Sequence, residues 1–86
     1  MTTIQIRKEL ELAINQLGAF VNTLTGNAEW NEKIKAGRIT QQDIETMKAT
    51  RGAGRELGRL SREEFEEVVL IHYRLGQLYN SLREVA

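Results

Sequence analysis

The sequence predicts an all-α protein, an antiparallel helical hairpin of two long helices with short connecting helices. Two stretches near opposite ends of the 86-residue chain space their apolar residues three and four apart, as one face of a helix requires. No stretch alternates apolar and polar residues with the period of two expected for a strand. Proline, which breaks helix interiors, is absent. The length suits one domain, so we expect residues 1–86 to form a single helical domain.

The first long helix is predicted by an apolar stripe that starts near residue 6 and stops near residue 24. At about 100° per residue the stripe covers an arc of about 120°, which is wide for a helix that faces one neighbour. Thr2 or Thr3 is placed to cap the start of this helix, and Gly26 to end it in the left-handed conformation. The stripe consists of Ile6, Leu10, Ala13, Ile14, Leu17, Phe20, Val21 and Leu24.

A short helix is expected next. Asn27 is placed to cap its start, and Gly37 to end it. Trp30 and Ile34 are four residues apart and give this helix one apolar edge. Trp30 is expected either to pack against the long helices or to be an exposed anchor for a protein partner.

A second short helix is expected to begin at Thr40. Asp43 follows three residues later, which forms a variant of the capping box. Ile44 and Met47 give this helix an apolar edge that does not continue downstream. Three glycines lie where the apolar edge changes direction, and each costs about 1 kcal/mol inside a helix relative to alanine. We therefore expect a break or kink between about residues 51 and 54.

The last long helix carries the second apolar stripe. Ser61 followed by Glu64 is a capping box, which would start this helix at residue 62. Leu57 and Leu60 are in phase with the stripe, however, and this agreement favours one helix from about residue 55 to 85. We expect the continuous helix. The stripe consists of Phe65, Val68, Ile71, His72, Leu75, Leu78, Tyr79, Leu82, Val85 and Ala86.

The width of both stripes predicts self-association. A domain of this size buries only about 60% of the surface that its unfolded chain exposes, so the monomer is marginal. Cysteine is absent, so no disulfide strengthens the fold. Two helices with stripes wider than one neighbour can complete a four-helix bundle as a symmetric dimer. A homodimer is therefore the favoured oligomer.

Five cations three or four residues apart would form a single ridge on a helix. We call this set the arginine ridge; it consists of Lys48, Arg51, Arg55, Arg59 and Arg62. Like charges at this spacing repel by roughly 0.2–0.5 kcal/mol per pair, and a sequence tends to break such a local rule at functional sites. Residues 48–62 hold five basic residues and one acidic residue, in a chain whose net charge is zero. Glycines among the cations let a partner approach closely. The candidate partner- or anion-binding residues are Lys48, Arg51, Gly52, Gly54, Arg55, Arg59 and Arg62.

The arginine ridge has three interpretations. It is a solvated helix face partly neutralised by nearby glutamates, a surface that binds an acidic protein partner, or a site for nucleic acid or a small phosphate-bearing nucleotide at residues 51–59. The glycine spacing matches neither the dinucleotide fingerprint nor the Walker pattern. The neutral chain also lacks the overall basic charge of a typical DNA-binding domain. We expect an acidic protein surface as the partner, with nucleic acid or a nucleotide as the alternative.

His72 is the only histidine and lies on the edge of the second stripe. Tyr79 follows seven residues later, so both side chains face the same way. We expect His72 to be buried and hydrogen-bonded to a neighbour, or to meet its copy across a dimer, where it would act as a pH switch. Trp30, His72 and Tyr79 are the candidate interface residues.

No motif indicates an enzyme. The chain has one histidine and no cysteine, shows no recognisable nucleophile and is short for enclosing a pocket. We expect no metal and no cofactor. We also expect no membrane association, because no apolar run approaches the length of a bilayer span. A cytoplasmic location is the default. In size, neutrality and lack of catalytic groups the chain is similar to small phage or mobile-element proteins that bind and block host factors; that likeness is of type and covers no motif.

Overall fold

Four α-helices and their short connections make up the part of the chain that the structure describes. This computed structural model describes residues 2–49 and 60–85. Its helices are α1 (Thr3–Thr25), α2 (Glu29–Ala36), α3 (Gln41–Lys48) and α4 (Arg62–Val85). The described residues contain no strand, so the all-α prediction is confirmed for them.

The ends of α1 follow from local capping. The Thr2 hydroxyl accepts a hydrogen bond from the Gln5 amide at 3.2 Å, and the Gln5 side-chain oxygen accepts one from the Thr2 amide at 2.8 Å. Gly26 ends the helix with a φ of 73°, the left-handed region that favours glycine. Both predicted ends are confirmed.

Helix α2 ends as predicted, but the residue just before it is Ala28, which makes no side-chain cap, and the predicted cap Asn27 contacts the first turn from one residue further back. The side-chain oxygen of Asn27 accepts hydrogen bonds from the amides of Glu29 at 3.1 Å and Trp30 at 3.2 Å. Gly37 ends the helix with a φ of 72°. Local residue chemistry is therefore sufficient to position this short helix along the chain.

Helix α3 is held at its start by the predicted capping box. Thr40 and Asp43 exchange hydrogen bonds between each side chain and the other's amide, at 3.0 and 3.1 Å. The bond from the Thr40 amide lowers the pKa of the Asp43 carboxyl. Lys33 of α2 lies 3.5 Å from the same carboxylate and links the two short helices.

The predicted continuous helix from about residue 55 to 85 is wrong. Leu60 and Ser61 are not helical, and α4 starts at Arg62. The Ser61 hydroxyl accepts from the Glu64 amide at 3.1 Å, and the Glu64 carboxylate accepts from the Ser61 amide at 2.8 Å. This local capping box outweighs the phase agreement that favoured continuity.

Helix α2 packs against both long helices where each carries a glycine. A Cβ atom on Gly18 of α1 would lie 2.3 Å from Asn31 of α2, and one on Gly76 of α4 would lie 2.6 Å from Ile34. The missing side chains therefore permit the close approach of α2 to both helices. The buried apolar core consists of Ile14, Val21, Leu24, Trp30, Ile34, Ile44, Met47, Phe65 and Val69.

Contacts between α1 and α4 run in opposite directions along the two helices. Arg7, near the start of α1, lies over the ring of Tyr79, near the end of α4. Ile14, seven residues later in α1, approaches His72, seven residues earlier in α4. In the described part of the chain, neither helix is long and apolar enough to cross a bilayer.

Candidate functional site

An exposed apolar surface runs along α1 and α4. Four of its large side chains are between 37% and 52% exposed. Four further leucines in the same two stripes are partly buried. We call this surface the α1/α4 face; it consists of Ile6, Leu10, Leu17, Phe20, Ile71, Leu75, Leu78 and Leu82.

The α1/α4 face lies on the opposite side of the two long helices from α2. Phe20 comes two residues after Gly18, and two residues turn a side chain about 200° around a helix. Leu78 comes two residues after Gly76 and is turned by the same angle. Because α2 packs on both glycines, these two apolar side chains point away from it. No helix in the described part of the chain covers them.

Opposite charges border the α1/α4 face. Glu9 lies about 20° around α1 from Phe20, and Arg74 about 40° around α4 from Leu78. Both charged residues are exposed, and within the described residues neither takes part in an ion pair. Glu67 is likewise exposed and lies about 20° around α4 from Leu78, so the border carries unpaired charges of both signs within the described residues.

Beneath the α1/α4 face, a hydrogen-bond network connects α2 to both long helices. The Trp30 indole nitrogen donates to Nδ1 of His72 at 2.9 Å, and Nε2 of His72 lies 2.9 Å from Oδ1 of Asn31. Asn31 Nδ2 donates to Oδ1 of Asn15 on α1 at 3.1 Å. Indole N–H only donates, so His72 is neutral with its proton on Nε2. Both imidazole nitrogens are engaged.

Burial lowers the pKa of His72 to about 4 because a charged imidazole is poorly solvated in the core, although the Ile14 carbonyl acts in the opposite direction. His72 is 0% exposed and Trp30 is 3% exposed. The expectation of a buried, hydrogen-bonded His72 is confirmed, and Trp30 packs in the core. In this conformation neither offers surface to a partner, whereas Tyr79 is partly buried beneath Arg7.

Only two residues of the arginine ridge lie among the described residues. An Nη nitrogen of Arg62 donates a hydrogen bond to the Lys48 carbonyl. Nε of Arg62 lies 3.6 Å from the Glu66 carboxylate, and the Arg62 side chain is 39% exposed. The hydrogen bond from Arg62 to the Lys48 carbonyl joins the end of α3 to the start of α4. The other predicted site residues, Arg51, Gly52, Gly54, Arg55 and Arg59, lie outside the described residues.

A cleft of about 300 Å³ lies between α4 and the turn that joins α2 to α3. Its lining includes Gly37, Tyr73, Gln77 and Asn80, and none of its lining side chains is charged. It therefore lacks the charge that an anion site needs. Within residues 2–49 and 60–85, no group of three or more histidine or acidic side chains could hold a metal ion.

No protein-family model, curated protein or solved structure matches this chain. The interpretation of function therefore depends on the chain's own residues and their geometry.

Two features of the site were not found from the sequence. Gly18 and Gly76 belong to neither apolar stripe, and the structure uses them as packing points for α2. The contact between Arg7 and Tyr79 joins residues at opposite ends of the chain. A glycine inside each long helix, away from its apolar stripe, is the signal that could have indicated the first feature.

Proposed function

We propose that this chain is a non-enzymatic, cytoplasmic interaction protein, which pairs with a second copy of itself and binds an acidic protein surface through the arginine ridge. In this proposal α1 and α4 form an antiparallel hairpin, and two hairpins pair through their α1/α4 faces to make a four-helix bundle. The observation that supports it is the exposed apolar face opposite α2. Such a surface on a small protein marks an interaction site.

The dimensions of the α1/α4 face suit a second copy. Helix α1 has 23 residues, which gives a length of about 34 Å, and two packed helices are about 18 Å wide. The face therefore has an area of roughly 600 Å², close to the ~800 Å² per partner of a standard protein–protein interface. A helix pair with one apolar side completes its core by packing on another such pair.

The bordering charges also favour a second copy. Arg7 contacts Tyr79 and Ile14 contacts His72, so positions that lie side by side in α1 and α4 have numbers that sum to 86. Arg74 is therefore level with residue 12. Glu9 lies three residues away, within about 5 Å along the axis. A two-fold axis parallel to the helices lays α1 of one copy on α4 of the other. That arrangement brings Glu9 beside the opposite charge of Arg74 from the second copy, twice by symmetry.

The arginine ridge is the proposed surface for a different protein. Arginine suits planar, bidentate recognition of carboxylates, and four of the five cations are arginine. This charge concentration in a neutral chain would steer an acidic partner. A partner of this kind is consistent with a phage-type inhibitor of a host factor. The second candidate is a binder of nucleic acid or a phosphate-bearing ligand at residues 51–59, favoured by the glycines among the cations.

Charge substitutions on the face test the pairing. Leu78→Glu should convert the dimer to a monomer, because it would bury a carboxylate in an apolar interface. Leu12→Glu is the matched control: Leu12 is 56% exposed but lies about 80–160° around α1 from the α1 members of the face, Phe20 being the nearest. Light scattering reports the mass of each variant, and circular dichroism checks its folding. A folded Leu78→Glu that remains dimeric would refute this interface.

Charge reversal in the arginine ridge tests partner binding. Replacing Arg51, Arg55 and Arg59 by glutamate should abolish the capture of an acidic partner and leave the oligomer intact. Native mass spectrometry of the purified protein measures both properties. Undiminished binding by the triple variant would show that the ridge is only a solvated surface. If nucleic acid is the ligand instead, its affinity should fall log-linearly with salt concentration.

A further inference from the structure

The contact between Arg7 and Tyr79 forms one wall of a separate cleft. The Arg7 guanidinium carbon lies 5.5 Å from the centre of the Tyr79 ring, a cation–π arrangement. The cleft has a volume of about 200 Å³ and is lined by these two residues together with Ile4, Lys8 and Glu11. Seventeen residues separate Tyr79 from the start of α4, which is roughly 25 Å along the helix. The cleft is therefore distant from Arg62.

Arg7 has no polar partner in the described part of the chain. Its Nε atom is buried there without a hydrogen bond, and its guanidinium makes no ion pair with a described residue. Buried donors of this kind are rare, because an unmade hydrogen bond to a charged group costs about 1–3 kcal/mol or more. Arg7 is partly exposed and lines the cleft, so an anion in the cleft can reach its guanidinium.

The charges in the cleft select the kind of anion. Two cations, Arg7 and Lys8, face one carboxylate, Glu11, which leaves one net positive charge. A single negative charge neutralises this, whereas a doubly charged phosphate would leave the cleft with a net negative charge. The planar guanidinium fork matches a carboxylate. Ile4 is 60% exposed and provides an apolar wall for methylene groups.

We propose that Arg7 and Lys8 bind a carboxylate carried on a short aliphatic stem. The carboxylate accepts hydrogen bonds from the Arg7 guanidinium and neutralises Lys8, while its stem packs on Ile4. Tyr79 holds the guanidinium in position from below. The group is either a free small carboxylate or a glutamate side chain of a protein, and this site is independent of both the arginine ridge and the α1/α4 face.

Nuclear magnetic resonance of the full chain tests the proposal, because a carboxylate bound to the guanidinium changes the chemical shift of the neighbouring Arg7 Nε–H. The probes are butyrate, the peptide acetyl-Gly-Glu-Gly-amide, its glutamine counterpart and inorganic phosphate. Butyrate should shift the Arg7 signal to saturation, and the glutamine peptide should leave it unchanged. A response to the glutamate peptide that is stronger than the response to butyrate identifies a protein side chain as the ligand; the reverse identifies a free small carboxylate.

Three variants separate the site from general charge. Arg7→Lys keeps the charge but loses the fork, and should weaken butyrate binding, followed in this variant by the Lys8 amide signal, at least about tenfold. Tyr79→Leu should also weaken it while Arg7 remains present. Arg38→Gln removes an exposed arginine elsewhere and should leave binding unchanged. An Arg7 signal that responds to no carboxylate, or that responds more strongly to phosphate, would overturn the proposal, as would equal binding by Arg7→Lys and the unmodified protein.

Discussion

The indole nitrogen of Trp30 donates a hydrogen bond to Nδ1 of His72, 42 residues away and at 2.9 Å, inside the core. The rings meet edge to face at an interplanar angle of 64°. The bond connects α2 to α4. It requires Nδ1 of His72 to be the unprotonated nitrogen of a neutral imidazole. Asn31 engages the other ring nitrogen. A polar network that satisfies each ring nitrogen makes His72 a structural residue of the core.

Removal of the imidazole should destabilise the fold strongly. His72→Ala leaves a cavity and removes the acceptor for Trp30, so the free energy of unfolding should fall by about 3–4 kcal/mol. Trp30→Phe removes only the donor and part of the ring, and its loss should be smaller, about 1–2 kcal/mol. Urea denaturation measures both values. A loss below about 1 kcal/mol for His72→Ala would contradict the network's role.

Stability should depend on pH through the same residue. The pKa of His72 is about 4 in the folded chain against an ordinary 6.5, so the unfolded chain takes up the proton first as the pH falls. The free energy of unfolding should therefore drop by roughly 3 kcal/mol between pH 6.5 and pH 4. His72 contributes no pH dependence well above pH 6.5. Urea titrations at several pH values measure this slope.

His72→Gln is the control for this slope, because it removes the only histidine of the chain. Its stability should vary less with pH between 6.5 and 4. If the variant retains the full slope, carboxyl groups cause the dependence and the assignment to His72 is wrong. An imidazole signal that titrates near pH 6.5 in the folded protein would lead to the same conclusion.

Alanine at Gly18 should destabilise the fold although alanine favours helices. A Cβ atom there would lie 2.3 Å from Cγ and 2.8 Å from Cβ of Asn31, so α2 must move or lose its polar contacts. The gain in helix propensity is about 1 kcal/mol, and overpacking costs typically 1–3 kcal/mol. We expect a net loss in the free energy of unfolding. In an Asn31→Ala background, which shortens the opposing side chain, the same substitution should be less costly.

Charge exchange should reveal the orientation of the dimer. Glu9→Arg places like charges beside Arg74 of the second copy and should weaken dimerisation. Combining it with Arg74→Glu restores opposite charges and should recover the affinity. Each exposed pair contributes at most about 1 kcal/mol, so the effect is expected to be a few-fold in the dissociation constant. Equal weakening by both single changes and by the double change would contradict the predicted register.

The helix ends could be predicted from the sequence because capping is local. Thr2, Gly26, Asn27 and Gly37 act within four residues of their own positions, and the residue types alone identify them. The start of α4 was missed for a different reason. Two apolar residues in phase with the stripe were given more weight than the capping box at Ser61, which the structure uses.

The packing could not be predicted because it depends on residues distant in sequence. Apolar periodicity identifies the apolar face of a helix and does not say which part of it is covered or by which neighbour. Helix α2 covers one side of α1 and α4 because Gly18 and Gly76 allow it to approach. The position of Arg7, which has no polar partner among the described residues, is also invisible in the sequence, since its contact with Tyr79 joins residues 72 positions apart.

Sedimentation equilibrium of the unmodified protein measures whether two copies pair through the α1/α4 face. The chain mass is 9.8 kDa. Pairing through this face predicts a species of twice that mass across micromolar concentrations, and a shift to the chain mass for Leu78→Glu but not for Leu12→Glu. A single species of the chain mass in the unmodified protein at all these concentrations would contradict it.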